Sequence, residues 1–163
     1  MADLKDLTAN IWQWGVERRI HENSTAAAQV RKAFEEYIEL LRDLEADEPD
    51  VEALKDDIGD IYVCLVQVCG CLGMSVPEPV PEPATDKDWE SMAVYLTAIW
   101  NRSQVDSAKY IVTNLVADAF GSLADDCDSY GFTLVDAVHK AWNEIKDRKG
   151  YLREDGIFVK ETA

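Results

Sequence analysis

Apolar residues recur every three or four positions along most of the chain, which places them on one face of an α-helix. The first such pattern predicts a helix that ends at about Arg19, followed by an irregular piece over residues 19–23. A second helix is predicted to begin after an N-cap at Ser24 or Thr25. Its apolar stripe consists of Val30, Phe34, Tyr37, Ile38, Leu41 and Leu44. Its other face carries Gln29, Lys32, Glu36, Glu39 and Asp43.

A third helix is predicted from Val51 to Leu72, after Pro49 has ended the second. Its second half, IYVCLVQVCGCLG, is apolar almost all round, as expected of a helix that is buried on several sides. The connection between the second and third helices is short, which favours antiparallel packing of the two.

Residues 75–85 hold four of the five prolines and are predicted to form a stiff, extended connector. Beyond it, Asp86 or Asp88 is expected to cap a fourth helix that ends near residue 101. A fifth helix is expected over roughly residues 103–130, because apolar residues continue at helical spacing and Gly131 follows. The predicted buried set of that helix is Tyr110, Ile111, Leu115, Val116, Phe120 and Leu123.

The C-terminal part predicts a last helix and a small turn. Thr133 is a suitable N-cap for a helix over residues 134–148. An Asp-Gly pair then separates two β-like runs, 151–152 and 157–160. The sequence therefore predicts one all-α domain over residues 1–163, an antiparallel helical bundle with a short β-like tail.

The chain carries a formal net charge of −16. Nucleic-acid binding needs a basic stripe, and none is visible, so no nucleic-acid partner is expected. The apolar run over residues 61–74 is too short to cross a bilayer, and the charged N-terminus MADLKDLTANIW is unlike a secretory signal. We therefore expect a cytoplasmic protein with no membrane partner.

The four cysteines are Cys64, Cys69, Cys71 and Cys127. They form no C-x-x-C pair and have no histidine nearby in sequence, which argues against zinc. Buried free thiols in a reducing compartment are the expected state.

Two acidic motifs lie on the second and third helices. Glu35, Glu36 and Glu39 form E-E-x-x-E, and Asp56, Asp57 and Asp60 form D-D-x-x-D. Helical positions three apart point the same way, so Glu36 and Glu39 share a face, as do Asp57 and Asp60. If the helices pack antiparallel, these two carboxylate pairs converge. Carboxylates held together repel unless a cation offsets them, and such oxygen ligands suit Mg²⁺, with Mn²⁺ as a substitute.

The pattern E-E-x-x-E, seventeen residues, then D-x-x-D resembles the signature of the MazG-like, all-α nucleoside triphosphate pyrophosphohydrolases. That superfamily also contains the dimeric dUTPases and the dCTP pyrophosphatases. The segments IWQWGVERRIHEN and QVRKAFEEYIEL before the second motif, and AWNEIKDRKGYLREDGIFVKE at the C-terminus, are also similar to the family. The family's second motif is E-x-x-D, so Asp57 replaces a glutamate here. Residues 77–123 show no resemblance.

The resemblance implies hydrolysis of a nucleoside triphosphate, expected to be a deoxynucleotide, to a monophosphate and pyrophosphate. It implies Mg²⁺ ligation by Glu36, Glu39, Asp57 and Asp60. It assigns catalytic work at the attacking water to the glutamates of the first motif, with Glu35 as a residue that orients the site or is merely solvated. The implied substrate-binding residues are Trp14, Gln29, Lys32, Asn143, Lys146 and Arg148. The resemblance also implies a homo-oligomer, a dimer or tetramer, of phage or bacterial type.

Three other readings compete with the pyrophosphohydrolase. A di-iron bundle needs two Glu-x-x-His motifs, whereas the chain has one imperfect copy, Asp136 to His139. A calcium sensor needs a twelve-residue loop with its glycine, and the sequence has none. A helical scaffold or nucleotide-binding module with a solvated acidic face is the remaining alternative, and it predicts indifference to Mg²⁺.

Overall fold

The computed structural model describes residues 3–81 and 90–161, and helical segments make up 72% of the structure. The expectation of an all-α protein with a short β-like tail is confirmed at this level. The α-helices are α1 Leu4–Glu17, α2 Ile20–Asn23, α3 Ala26–Leu44, α4 Val51–Leu72, α5 Glu90–Ser103, α6 Lys109–Ser129 and α7 Leu134–Ile145. A 3₁₀-helix spans Asp106–Ala108, and the strands are β1 Gly150–Leu152 and β2 Phe158–Lys160. In the described part of the chain, no helix is long and apolar enough to cross a membrane.

The first helix ends two residues earlier than predicted, and the piece expected to be irregular contains α2. Arg19 adopts the left-handed conformation (φ 57°), which interrupts the helical path between α1 and α2. The buried residue of α2 is Ile20, which joins the main core. The prediction missed α2 because four residues are too few to display a helical period.

The predicted pair α3 and α4 is the centre of the fold. Thr25 caps α3 by accepting a hydrogen bond from the Ala28 amide, and Gly73 ends α4 in the left-handed conformation. The predicted bounds of α4 are confirmed. One detail of α3 is wrong: Ile38 was assigned to the apolar stripe but is 47% exposed, whereas Ala33 and Leu40 are fully buried. The stripe is therefore centred on Val30, Ala33, Tyr37 and Leu40.

Helix α7 crosses α4 at very close range. Ala or any larger residue at Gly59 would place its Cβ 2.4 Å from the Ala137 carbonyl oxygen and 2.8 Å from the Ala141 Cβ. Glycine at this position lets the two backbones approach, and this approach positions the chain that follows α7.

The prolines of residues 75–81 lie in a segment without helix or strand, and the Val80 amide donates a hydrogen bond to the Ala117 carbonyl on α6. The rest of the predicted connector and the proposed caps Asp86 and Asp88 lie outside the described residues. The predicted single helix over 103–130 is wrong at its start, where the 3₁₀-helix precedes α6. Tyr110 and Ile111, assigned to the core, are 77% and 42% exposed. They lie in the first turn of α6, before that helix enters the core at Val112.

Thr133 caps α7 as predicted, in a capping box in which its hydroxyl and backbone both bond to Asp136. The helix ends at Ile145 rather than 148. Residues 146–149 then lead into the antiparallel hairpin, in which Tyr151 pairs with Val159 around an Asp155–Gly156 turn.

Candidate functional site

A pocket lies between α1, α3, α4 and the chain that follows α7. Six residues implicated by the sequence line it: Trp14, Gln29, Lys32, Glu36, Asp60 and Arg148. They come from positions as far apart as 14 and 148, so the fold brings them together rather than the local sequence. The volume of the pocket is about 70 Å³, which is room for a few water molecules. This pocket is the candidate functional site.

Glu36 and Asp60, one from each acidic motif, face each other in this pocket. Glu36 is 6% exposed, and the Lys32 ammonium lies 2.5 Å from its Oε1 and 3.3 Å from Oε2 of Glu35. Burial disfavours the Lys32 charge, but the neighbouring carboxylates outweigh burial and raise the pKa of Lys32. Burial, followed by the charges of Glu36 and Asp56, raises the pKa of Asp60 to about 7, while Arg148 acts in the opposite direction. The site thus combines two acids with two basic groups.

Asp57 lies one turn away and faces a second group of acids. Its side chain is 8% exposed, and its Oδ2 is buried without a hydrogen-bond partner. Burial, followed by the charges of Asp43 and Glu39, raises the pKa of Asp57 to about 7. Asp57 therefore meets residues 43 and 39 while Asp60 meets residue 36, which is the order that antiparallel helices produce.

Asp56, the first acid of the second motif, points toward α7 instead. Lys140 Nζ lies 3.7 Å from Asp56 Oδ1 and 3.0 Å from Glu144 Oε1. Burial and the Glu144 charge raise the pKa of Asp56, and Lys140 partly offsets them. Asp56 thus belongs to a partly buried cluster with Lys140 and Glu144, outside the pocket lining.

The donor chemistry of the four predicted ligands fits a hard divalent cation. All four are carboxylates, and the unpartnered Asp57 Oδ2 shows that one of them lacks a compensating group. Their present positions are less suited: within residues 3–81 and 90–161, no three His, Cys, Asp or Glu side chains lie close enough together to hold a metal ion. Glu36 bonds to Lys32 in this arrangement, and Glu39 is exposed.

Trp14 lines the pocket, but other residues of the protein already contact most of its ring. Its indole Nε1 donates a hydrogen bond to the Ile145 carbonyl (2.8 Å) and its ring is 6% exposed. The Arg18 guanidinium lies over the ring at 4.6 Å, and Phe158 contacts it edge-on with centroids 5.4 Å apart. These contacts give Trp14 a packing role in the structure, and base stacking by it stays a prediction.

Asn143 and Lys146 lie away from the pocket. Lys146 Nζ donates to Asn143 Oδ1 (3.1 Å), and the Asn143 amide contacts His139 on an exposed face of α7. Two helical positions are about 200° apart, so Asn143 faces away from Ile145, which does line the pocket. Their assignment rested on the resemblance alone.

Sequence reasoning missed several residues around the site. Arg18 donates to the Arg148 carbonyl at 2.7 Å and so holds the segment that carries Arg148. Gln67 lines the pocket, bonding to His21 (2.8 Å) and to the Ile11 carbonyl. Cys64 also lines it, and burial raises the pKa of its thiol well above the ordinary value. Asp43 was predicted on the polar face of α3, four residues after Glu39, but was not included among the predicted site residues.

Part of the chain is similar to a phage protein. The chain is 44% identical over 66 residues to an uncharacterized 18.2 kDa protein in the rep-hol intergenic region of Haemophilus phage HP1 (strain HP1c1). The matched part covers 40% of this chain and 39% of the phage protein. No family model and no solved structure matches the chain.

Proposed function

We propose that the protein is a Mg²⁺-dependent nucleoside triphosphate pyrophosphohydrolase of the MazG-like type, which converts a (deoxy)nucleoside triphosphate and water to a monophosphate and pyrophosphate. One observation carries the proposal: Glu36 and Asp60, from the two acidic motifs, share a pocket with Lys32 and Arg148. A site that joins hard oxygen donors to basic side chains suits a phosphate substrate that arrives with a divalent cation.

The chain's own residues take distinct parts in this proposal. Glu36, Glu39, Asp57 and Asp60 would hold Mg²⁺, which supplies neutralisation of phosphate charge and a more acidic bound water. Lys32 and Arg148 donate hydrogen bonds to phosphate oxygens, which requires Lys32 to leave Glu36 when substrate binds. A glutamate of the first motif accepts the proton of the attacking water. Glu35, exposed and paired with Lys32, orients that lysine.

A second candidate function is a helical module that binds nucleotides or a protein partner through its acidic face without cleavage. The observation that favours it is the engagement of Glu36 by Lys32, together with the absence of a metal-ready group in the described part of the chain. The shorter Asp57 in place of the family glutamate points the same way. This module would be indifferent to Mg²⁺.

The variant Asp60→Asn distinguishes the two functions. It keeps the shape of the side chain and removes the carboxylate that faces Glu36 and Arg148. We expect it to lower Mg²⁺-dependent turnover by about 100-fold or more, while circular dichroism shows unchanged helical content. The control is Cys69→Ser, since Cys69 is buried in the core outside the pocket and should leave turnover unchanged. Full activity of Asp60→Asn would show that the metal assignment is wrong.

The likeness to a phage protein fits a role in phage nucleotide supply or in the removal of unwanted nucleotides. From the same family resemblance we also propose a dimer or tetramer in which partner subunits complete the site.

A further inference from the structure

The C-terminal hairpin forms one wall of the pocket. Ile157 and Phe158 line it from the hairpin, and Arg148 lines it from the segment that leads there. The opposite wall consists of α1, α3 and α4, which belong to the main core. The hairpin itself adds only the partly buried Leu152 and Phe158 to the edge of that core.

Two side-chain hydrogen bonds hold the turn of the hairpin, and the carbonyl of Gly156 accepts both of them. Ser24 Oγ donates to this oxygen at 2.7 Å, and Gln29 Nε2 donates to it at 3.3 Å. The same Gln29 nitrogen also donates to Ser24 Oγ at 2.9 Å. An exposed ion pair, Arg31 to Asp155 at 3.2 Å, adds a weaker contact.

Gly156 is required for this approach. Its φ of 81° lies in the left-handed region, and a Cβ there would lie 2.9 Å from Ser24 Oγ. A hairpin with three-residue strands is marginally stable by itself. Its position against the pocket therefore depends on two kinds of contact. One is the pair of hydrogen bonds from Ser24 and Gln29 to Gly156, which we call the latch, and the other is the contact between Phe158 and Trp14.

The pocket in its closed form is too small for a nucleotide. Its volume of about 70 Å³ falls well below the 300–1,000 Å³ that is usual for small-molecule sites. Both hydrogens of the Gln29 amide are also directed at partners inside the protein, so it has no donor left for a ligand. Opening the hairpin removes both obstacles at once.

We propose that residues 150–160 are a hinged cover of the pocket, and that Ser24 and Gln29 are positioning residues that hold this cover closed. The hinge is the segment 146–149, which Arg18 holds through the Lys146 and Arg148 carbonyls, so the cover closes against a fixed Arg148. The identity of the ligand rests on the proposed function, whereas the latch does not.

Hydrogen–deuterium exchange of the whole protein without nucleotide tests the latch. Ser24→Ala and Gln29→Leu each remove a donor to Gly156, so exchange in residues 150–160 should become about fivefold faster. The matched control is Gln13→Leu, because Gln13 is an exposed residue of α1 that bonds to Glu17 and does not contact the hairpin. Ser24→Ala is the milder change and guards against loss of folding in Gln29→Leu. Unchanged exchange in the hairpin would overturn the proposal, and so would an equal acceleration throughout α4.

A second arm adds Mg²⁺ and inorganic pyrophosphate to the wild-type protein, with calorimetry to establish binding. Closure over the ligand should slow exchange in residues 150–160 at least threefold. Binding without any change in hairpin exchange would overturn the cover. An absence of binding would contradict the proposed function. The latch would then be tested by hydrogen exchange in the Ser24→Ala and Gln29→Leu variants alone.

A functional readout separates positioning from simple packing. If the latch positions the cover, Gln29→Leu should raise KM or lower kcat, because the cover no longer closes the pocket over the substrate. Equal values of kcat and KM in wild type and Gln29→Leu would overturn the positioning role.

Discussion

Asp57 and Asp60 lie one helical turn apart on α4, and the surroundings of each disfavour the charged carboxylate. Both are largely removed from water and both face other acids, which raises the pKa of each to about 7. The unfolded chain would lose these protons near pH 4, where aspartate ordinarily titrates. The two residues therefore link stability to pH and to any cation that relieves the repulsion.

This linkage has a definite sign. Between about pH 4 and pH 7 the folded protein holds protons that the unfolded chain has released, so the free energy of unfolding falls as pH rises through that interval. In the presence of EDTA, we expect the melting temperature at pH 8 to lie below that at pH 5.5 by at least about 3 °C. Thermal unfolding followed by circular dichroism measures the difference.

The double variant Asp57→Asn/Asp60→Asn is the control, because it removes both titrating groups and should flatten the pH dependence. Mg²⁺ should raise the melting temperature of the wild type at pH 8 and have little effect on the double variant. A melting temperature that rises from pH 5.5 to pH 8 in the wild type would contradict the placement of these acids.

Among the helices, the crossing of α4 and α7 determines where Arg148 lies. An Ala in place of Gly in a helix interior ordinarily stabilises by about 1 kcal/mol. At Gly59 the opposite is expected, because the added methyl meets Ala137 and Ala141. Gly59→Ala should lower the free energy of unfolding in urea by about 1–3 kcal/mol, the usual cost of overpacking. An increase in stability would show that the two helices are further apart than the structure places them.

The helices that the sequence predicts best are those with both a cap and a sustained period. Asp50 caps the start of α4 and Gly73 ends it, and its apolar run is typical of a buried helix. The bounds of α4 therefore agree with the prediction. α2 and the 3₁₀-helix Asp106–Ala108 are too short to show a period. Ile38 misled the prediction because apolar character alone does not establish which edge of a stripe is buried.

The candidate site also has one part that the sequence predicts and one part that it does not. The facing of Glu36 and Asp60 follows from i, i+3 spacing and antiparallel helices, so the sequence was sufficient to predict it. The position of Arg148 and the hairpin depends on where α7 ends and how residues 146–149 turn, which no local pattern encodes. Asn143 and Lys146 were assigned by resemblance, and the structure places them outside the pocket lining, at the C-terminal end of α7.

For the whole molecule, a net charge of −16 opposes self-association. The proposed dimer or tetramer must overcome this repulsion, which salt screens. We therefore expect light scattering after size exclusion to show a larger oligomeric fraction at 300 mM salt than at 20 mM. A single-chain mass at both salt concentrations and at high protein concentration would contradict the proposed homo-oligomer.

A turnover panel tests the proposed reaction itself. The common ribo- and deoxyribonucleoside triphosphates would each be incubated with the wild-type protein, with Mg²⁺ or with EDTA, and the products resolved as mono- and diphosphates. We expect monophosphate and pyrophosphate from at least one triphosphate, only when Mg²⁺ is present. No turnover of any of them by the folded protein, or release of diphosphate and phosphate instead, would contradict it.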